Sequence, residues 1–174
     1  MSPARDAELD ATVLAAHGGT IDRTFTLNCL PRIAALEAGA GSRLALQARF
    51  GIADGKVTVA GFVRGHVELR CQRCLGWVAV PVEQTLDLVI VDSERGVTEV
   101  GEPAEGIVAD ATRLDLAWLV EEETLLALPL VPMHDPSQAG CVAREVGVAD
   151  QAIESGEPDR QKPFANLRDL LDKS

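Results

Sequence analysis

The chain has 174 residues, a length typical of one domain, and its 47% hydrophobic and 25% charged residues are ordinary for a globular protein. Its four cysteines are too few for a disulfide scaffold, and no apolar run is long enough to cross a membrane. The net charge of −11, which is unevenly distributed, argues against broad nonspecific adhesion to nucleic acid, which needs many cations. We therefore expect one cytoplasmic domain over residues 1–174, with no membrane or DNA partner.

The negative charge is concentrated in the second half of the chain. Residues 1–92 carry nine Lys/Arg and ten Asp/Glu, whereas residues 93–174 carry seven and seventeen, so the two halves have net charges of −1 and −10. An acidic half suits a basic partner, such as a ribosomal protein. The alternative is that the charge only keeps the protein soluble.

The first forty residues contain few strong structural signals. Residues 1–20 are polar and rich in alanine, so we expect them to be loosely ordered. The next segments predict a short strand over Arg23–Leu27 and a short helix over Pro31–Ala38. Proline suits the first turn of that helix, and Gly39 suits its end.

A two-residue turn at Asp54–Gly55 predicts the first hairpin. The preceding strand, Arg43–Ile52, alternates apolar and polar residues, as a half-buried strand does. The Asp-Gly pair is a strong hairpin signal because its residues tolerate positive φ. The turn places three apolar pairs opposite each other: Ile52 with Val57, Phe50 with Val59, and Leu46 with Val63.

The stretch from Val57 to Val91 predicts a second hairpin, with Cys71-Gln72-Arg73-Cys74-Leu75-Gly76 at its tip. Both arms alternate with period two. If Cys71 lies opposite Cys74, the apolar residues of the two arms meet on one face. The predicted pairs are Val67 with Val78, Val63 with Val82, and Val59 with Leu86.

The remaining chain predicts helices and irregular segments. Residues 92–113 read as an acidic loop containing a short strand near Gly106–Ala109, and Asp115 is a good N-cap for a helix over Leu116–Leu128. We expect an irregular acidic segment over 133–163 and then a short C-terminal helix. That helix would bury Phe164, Leu167, Leu170 and Leu171. The predicted fold is α+β: an antiparallel meander packed by one main helix and the C-terminal helix.

The cysteines at the hairpin tip predict a metal site. Cys71-x-x-Cys74 followed by Gly76 resembles a zinc knuckle, in which a tight turn points two thiolates at one ion. A structural zinc site needs four ligands, and His134 and Cys141 are the best placed to complete it. Unmetallated structural thiols are the alternative, so the cofactor prediction is zinc or none.

A thiol oxidoreductase is a second interpretation of the Cys-x-x-Cys pair. Thioredoxin-like sites place the pair at a helix N-terminus, where the dipole lowers the thiol pKa. Here a strand follows the pair, which disfavours redox chemistry. The sequence also lacks a P-loop, a Gly-x-Ser-x-Gly motif and a dinucleotide fingerprint, so we predict no enzymatic activity.

One basic stripe lies on the outward side of the second hairpin. Arg64 and Arg70 share one parity with His66, and Arg73 lies at the tip, so these arginines are predicted to contact RNA phosphates. The alternative is a solvated face. Only 3% of residues are aromatic, which disfavours recognition by base stacking.

Three successive acidic residues, Glu121, Glu122 and Glu123, interrupt the apolar stripe of the main helix. Successive helical positions cannot all face one ion, which disfavours metal-assisted hydrolysis. We instead predict that Glu121 and Glu122 face solvent or a basic protein partner.

Taken in order, these segments resemble the YceD family of large ribosomal RNA subunit accumulation proteins. The resemblance spans residues 20–172. It rests on the Cys71–Cys74 hairpin, the sequence DLAWLVEEETLLALPLVP from Asp115 to Pro132, His134-Asp135, Cys141 and the tail KPFANLRDLL. Lys162 precedes Pro163 where the family often has Asn.

The resemblance implies a non-enzymatic bacterial factor for the synthesis, processing or stability of large-subunit (23S) ribosomal RNA. Its expected partners are that RNA or a basic large-subunit ribosomal protein. The cysteines vary across the family, so zinc would belong to some members only. A zinc-knuckle protein–protein module without RNA contact is the alternative function, along with the thiol oxidoreductase.

Overall fold

A computed structural model of the protein describes residues 8–135 and 141–142. The chain divides into two units, Met1–Arg144 and Glu145–Ser174, and all described residues belong to the first. The prediction of a single domain over 1–174 therefore stays a prediction.

Seven strands and four α-helices make up the described chain. The strands are β1 (Glu8–Leu9), β2 (Thr20–Thr26), β3 (Arg43–Ala53), β4 (Lys56–Arg70), β5 (Trp77–Val91), β6 (Glu105–Val108) and β7 (Leu114–Asp115). The helices are α1 (Ala11–Ala16), α2 (Pro31–Ala34), α3 (Glu94–Thr98) and α4 (Leu116–Ala127), with 3-10 turns at Leu27–Cys29 and Ala111–Arg113. Among the described helices, none combines the length and apolar character needed to cross a bilayer.

Five strands form one sheet in the order β2-β3-β4-β5-β6, and β1 pairs separately with β7. The α+β class is confirmed. The first four strands are antiparallel neighbours, but β6 runs parallel to β5, so the sheet is mixed and the prediction of a purely antiparallel sheet is wrong. The reason is the connection: the chain passes through α3 after β5 and returns in the same direction, as parallel pairing requires.

The first hairpin has the predicted register. Ile52 lies opposite Val57, Phe50 opposite Val59 and Leu46 opposite Val63. Asp54 and Gly55 have φ values of 50° and 74°, as expected for a type I′ turn, whose twist matches that of the flanking strands.

The second hairpin has a register shifted by two residues from the prediction. Val67 lies opposite Val80, Val63 opposite Gln84 and Val59 opposite Leu88. The shift arises because Cys71 pairs with Gly76, whose carbonyl accepts from the Cys71 N–H at 2.8 Å, and not with Cys74. A shift of two keeps every side chain on its predicted face, so the apolar residues still meet.

The core lies on one face of the sheet. Phe50, Val59 and Val63 are fully buried there, and α1 and α4 pack against this side. From α4, Leu116 and Leu119 are also fully buried. We call the other side the outward face; it comprises the odd positions of β3 and β5 and the even positions of β4.

The N-terminal prediction is wrong for the part that the structure describes. Residues 8–20 were expected to be loosely ordered, but they contain β1 and α1. The Asp10 side chain caps α1 by accepting from the Thr12 and Val13 N–H groups, and Ala11 is fully buried. Two small residues at i and i+4, Ala11 and Ala15, let this short helix approach the sheet closely.

The other helix predictions have mixed outcomes. α2 begins at Pro31 but ends at Ala34, before Glu37 adopts a φ of 56°. α4 begins as predicted, because the Asp115 carboxylate accepts from the Ala117 N–H at 2.8 Å. Residues 133–135 have no regular structure; the remainder of the predicted irregular segment, apart from 141–142, and the C-terminal helix lie outside the described residues.

Candidate metal centre

The four predicted ligands meet at one end of the sheet. Cys71 and Cys74 lie on the loop Cys71–Gly76, which joins β4 to β5, whereas His134 and Cys141 follow α4. One ligand atom from each residue lies within 4.8 Å of all the others. The Sγ atoms of Cys71 and Cys141 are 3.7 Å apart, and Cys74 Sγ lies 3.4 Å from His134 Nδ1.

The loop that carries the two cysteines is built from backbone hydrogen bonds. The Leu75 N–H donates to the Cys71 carbonyl at 2.9 Å, and Leu75 has a φ of 62°. The sharp bend therefore falls on Leu75. Gly76 lies beside the site: a Cβ there would be 3.4 Å from Cys74 Sγ, an ordinary van der Waals contact.

Backbone contacts fix the second pair of ligands beside the loop. The Gln72 N–H donates to the Pro132 carbonyl at 2.9 Å, two residues before His134. The Arg73 side chain reaches the same segment, because its terminal nitrogen donates to the His134 carbonyl at 3.3 Å. Pro132 and His134 are thereby held against the hairpin tip.

The imidazole of His134 is oriented for Nδ1 to act as a ligand. Its Nε2 lies 2.9 Å from the Trp77 carbonyl oxygen, which only an N–H can satisfy. A proton on Nε2 leaves the Nδ1 lone pair facing Cys74. Such a second hydrogen bond commonly fixes the ring of a metal-ligating histidine.

The local environment shifts the pKa values of the ligands. Burial by itself would raise the pKa of Cys71, but the backbone N–H groups of Cys74, His134 and Arg73 outweigh it and lower the pKa to about 5. For Cys74 the Gly76 N–H lowers the pKa, but burial and the neighbouring sulfurs raise it more. One thiolate therefore forms readily, and further negative charge beside it is disfavoured unless a cation is present.

Zinc fits this set of donors. Tetrahedral zinc about 2.3 Å from sulfur and about 2.0 Å from nitrogen separates two sulfurs by about 3.8 Å and a sulfur from a nitrogen by about 3.5 Å. The observed distances are 3.7 and 3.4 Å. Three thiolates with one imidazole form a common structural zinc site, in which the metal fixes the fold and leaves no position for a substrate.

Arg73 contacts this cluster directly. Its Nε donates to Cys141 Sγ at 3.1 Å, and the interaction with Cys141 raises the pKa of the guanidinium. The sequence placed Arg73 among the RNA-contacting residues, but its side chain instead joins the two pairs of ligands. No local sequence signal indicates this contact, because Cys141 lies 68 residues away.

Arg64 and Arg70 lie on the outward face, as their parity predicts. Arg64 forms an ion pair with Glu83 at 3.0 Å, and its guanidinium lies 4.0 Å from the centre of the Phe62 ring. Arg70 lies 3.8 Å from the ring centre of Trp77, its partner on β5. No pattern in the sequence indicated these two aromatic residues, which the fold places beside the arginines.

Glu121 does not face a partner, so that prediction is wrong. Its side chain is 3% exposed, and its carboxylate accepts from the backbone N–H groups of Arg32 and Ile33 at 2.6 and 3.2 Å. Those groups lie in the first turn of α2, where amides lack helical partners. The buried carboxylate therefore caps α2.

The two neighbouring glutamates have different environments. Glu122 is partly exposed and pairs with the Arg32 guanidinium, so a role toward a partner stays a prediction for this residue. Glu123 is buried, and burial, followed by the charges of Glu105 and Glu122, raises the pKa of its carboxyl. The three carboxylates point to different surroundings, as expected for successive helical positions.

Fold and site together define a class: an α+β protein whose main hairpin ends in a Cys₃His knuckle beside an outward sheet face. Residues 59–171 match the family of the "Large ribosomal RNA subunit accumulation protein YceD". The chain belongs to the YceD family. It is 33% identical over 126 residues to the large ribosomal RNA subunit accumulation protein YceD of Haemophilus influenzae, covering 67% of each chain. No solved structure matches the chain.

Proposed function

We propose that this protein is a non-enzymatic ribosome-biogenesis factor that supports the accumulation of large-subunit (23S) ribosomal RNA. The family match over residues 59–171 carries the proposal, because the matched family and the Haemophilus influenzae relative are both named for that role. Ribosomes are assembled in the cytoplasm, where thiols stay reduced, so we assign the protein to that compartment.

The proposed partners are large-subunit ribosomal RNA or a basic large-subunit ribosomal protein. Arg64 and Arg70 on the outward face are the proposed RNA contacts, since arginine suits phosphate recognition. Exposed carboxylates of the acidic second half, Glu122 among them, are the proposed contacts for a basic protein.

We further propose that Cys71, Cys74, His134 and Cys141 hold a zinc ion. The proposed role is structural: zinc would tie the tip of the hairpin to the segment after α4. The donor set supports zinc over magnesium or calcium, which prefer oxygen ligands.

The alternative functions have less support. A thiol oxidoreductase would need the cysteine pair at a helix N-terminus, whereas β4 and β5 flank it here. A protein-binding knuckle without RNA contact shares the metal centre with our proposal. The two differ in whether RNA is retained.

The test is depletion of the protein in its host, followed by measurement of large-subunit relative to small-subunit ribosomal RNA. We expect the ratio to fall on depletion and to recover with the wild-type gene. An unchanged ratio in depleted cells would refute the proposal. The thiol oxidoreductase predicts instead a cysteine alkylated rapidly at low pH together with dithiol turnover.

Complementation with variants tests the proposed surface. Charge reversal of both arginines, Arg64→Glu with Arg70→Glu, is expected to prevent recovery of the large-subunit RNA. Arg95→Glu is the matched control, because it reverses an exposed charge on α3. If the double variant restores RNA as well as this control does, the outward arginines have no part in the function.

A further inference from the structure

Each of the two exposed arginines named above lies over an aromatic ring. Arg64 covers Phe62 and Arg70 covers Trp77, at 4.0 and 3.8 Å from the ring centres. All four side chains lie on the outward face of β4 and β5. The side chain of Arg64 is 56% exposed and Trp77 is 45% exposed, so both stacks are accessible from solvent.

The charge of this face differs from that of the chain. The outward positions of β3, β4 and β5 carry five Lys or Arg and three Asp or Glu, in a protein of net charge −11. β2 adds one acidic residue, Asp22, whose carboxylate accepts from the Gln47 amide at 2.7 Å. The basic residues are Arg43, Arg49, Lys56, Arg64 and Arg70. With β2 included, the face has a net charge of +1, in contrast to the −11 of the whole chain, and its arginines can meet phosphate.

We propose that the outward face binds single-stranded RNA, with unpaired bases stacking on the guanidinium planes of Arg64 and Arg70. This rests on the proposed function and specifies its RNA class. An arginine held over a ring leaves its other side open to solvent, and bases stack on guanidinium planes. Paired bases cannot reach it, because they are stacked within the duplex.

The two stacks are separated along one strand. Arg64 and Arg70 are six residues apart on β4, or about 20 Å at the usual rise of a strand. One extended strand of RNA can reach both. The outward positions between them on β4 are His66 and Glu68, and Arg43 of β3 lies opposite His66, where it can face a phosphate. Sheet surfaces with aromatic residues bind unpaired RNA in this general way.

Glu83 limits one of the stacks. Its carboxylate is 3.0 Å from the Arg64 guanidinium, so it competes with an RNA phosphate for that cation. Removal of this carboxylate should therefore tighten binding. The binding of an acidic protein at this face would also change when Glu83 is removed. Only RNA binding can be compared between a single-stranded and a double-stranded ligand.

The test is binding of the zinc-loaded, full-length protein to a labelled RNA of about twelve nucleotides, within the usual range for single-strand sites. The same RNA annealed to its complement is the control ligand. We expect the single strand to bind at least about tenfold more tightly, since stacking of one base is typically worth that much. Equal affinity for both would overturn the proposal in favour of phosphate contact alone.

Three variants separate stacking from charge. Trp77→Ala should weaken single-strand binding about tenfold without changing its salt dependence, since no cation is removed. Arg70→Lys, which keeps the charge and loses the plane, should weaken it several-fold, and Glu83→Gln should strengthen it up to about fivefold. Unchanged binding by Trp77→Ala and Arg70→Lys would refute stacking at this site.

Arg95→Lys is the matched control for Arg70→Lys. Arg95 is exposed on α3, outside the outward face, and the described arginine-over-ring contacts involve only Arg64 and Arg70. Arg95→Lys should bind the single strand as the wild type does. Zinc content and circular dichroism show whether each variant is folded. Trp77→Ala keeps the contact with His134, because the backbone carbonyl of residue 77 makes it.

Depletion and pull-down experiments together distinguish the stacking proposal from the proposed function. If depleted cells lose large-subunit RNA but the protein binds only a basic ribosomal protein in pull-downs, the stacking inference fails and the proposed function holds. If depletion leaves the RNA unchanged, the proposed function fails whatever the protein binds in vitro.

Discussion

The two turns of the central three strands are built in different ways. Asp54–Gly55 is a two-residue turn whose positive φ values arise from its own residues. The loop Cys71–Gly76 instead contacts residues 60 to 70 positions later, at Pro132, His134 and Cys141. The first turn is therefore a local structure, and the second depends on tertiary contacts and on the metal that they could hold.

The largest expected effect is the loss of a metal ligand at the second turn. Cys74→Ser should reduce bound zinc from about one per chain to nearly none. The free energy of unfolding should fall by about 4 kcal/mol, the stabilisation that a ligand gives at about a thousandfold excess over its Kd. The Gln72 amide, bonded to Pro132, should exchange faster, while amides beside Asp54–Gly55 keep their protection.

Cys29→Ser is the control for this change, because Cys29 is a free thiol outside the cluster. It should retain zinc. Full zinc content in Cys74→Ser, measured by elemental analysis, would contradict the assigned site.

Arg73 gives the next largest effect. Arg73→Gln removes the hydrogen bonds to Cys141 Sγ and to the His134 carbonyl, so zinc affinity should fall about 10- to 100-fold, as it does when other groups that hydrogen-bond metal ligands are removed. Competition with a chelator measures the affinity. Arg64→Gln is the control and should leave it unchanged; equal losses in both variants would remove Arg73 from the metal centre.

A change at the first turn should have a smaller effect that does not involve the metal. Gly55→Ala places a Cβ at a φ of 74°, which costs about 1–2 kcal/mol, although the space around it is open. Denaturant unfolding should show that loss with unchanged zinc content. Gly101→Ala, in open space without a positive φ, serves as the control and should be nearly neutral.

The smallest expected effect is a dependence of stability on pH. It arises from Glu123, near the end of the sheet that carries the first turn. Glu123 lies close enough to Glu105 of β6 for their charges to interact, and β6 pairs with the end of β5 opposite Val57 and Val59. Because the folded-state pKa of Glu123 is raised, the folded protein binds more protons than the unfolded chain, and stability falls as pH rises through this pKa.

Glu123→Gln removes this dependence. The free energy of unfolding should rise by about 1 kcal/mol at neutral pH, because glutamine has no charge to bury; this is the usual scale for burial of a polar group. The gain should disappear as pH falls toward the ordinary carboxyl pKa of 4.5. Unfolding curves at several pH values measure it, and the same gain from the exposed Glu99→Gln would contradict the assignment.

The sequence predicts what depends on local chemistry. Periodicity assigned the correct faces to β3, β4 and β5, and Asp54–Gly55 set the register of the first hairpin. At the second hairpin the same reasoning assumed a two-residue turn between the cysteines. Its error of two residues reflects a longer loop, whose bend at Leu75 has no strong local signal.

Contacts between distant segments could not be predicted from local sequence patterns. Glu121 reads as a surface carboxylate, yet its partners are amides 88 and 89 residues away. The ligand set could be proposed because cysteine and histidine have few other roles in such a pattern. The position of Arg73 between the ligands could not be predicted from the sequence, since an arginine beside a cysteine occurs in many different environments.

The separation of the ligands along the chain has a consequence for folding. Cys74 and His134 are 60 residues apart, so an ion bound by both acts as a cross-link across β5, β6 and α4. A covalent link closing such a loop lowers the chain entropy of the unfolded state by an amount equivalent to about 4 kcal/mol. During synthesis the last ligand, Cys141, emerges only after these elements. The four-ligand site can therefore form only once all strands of the sheet have been synthesised.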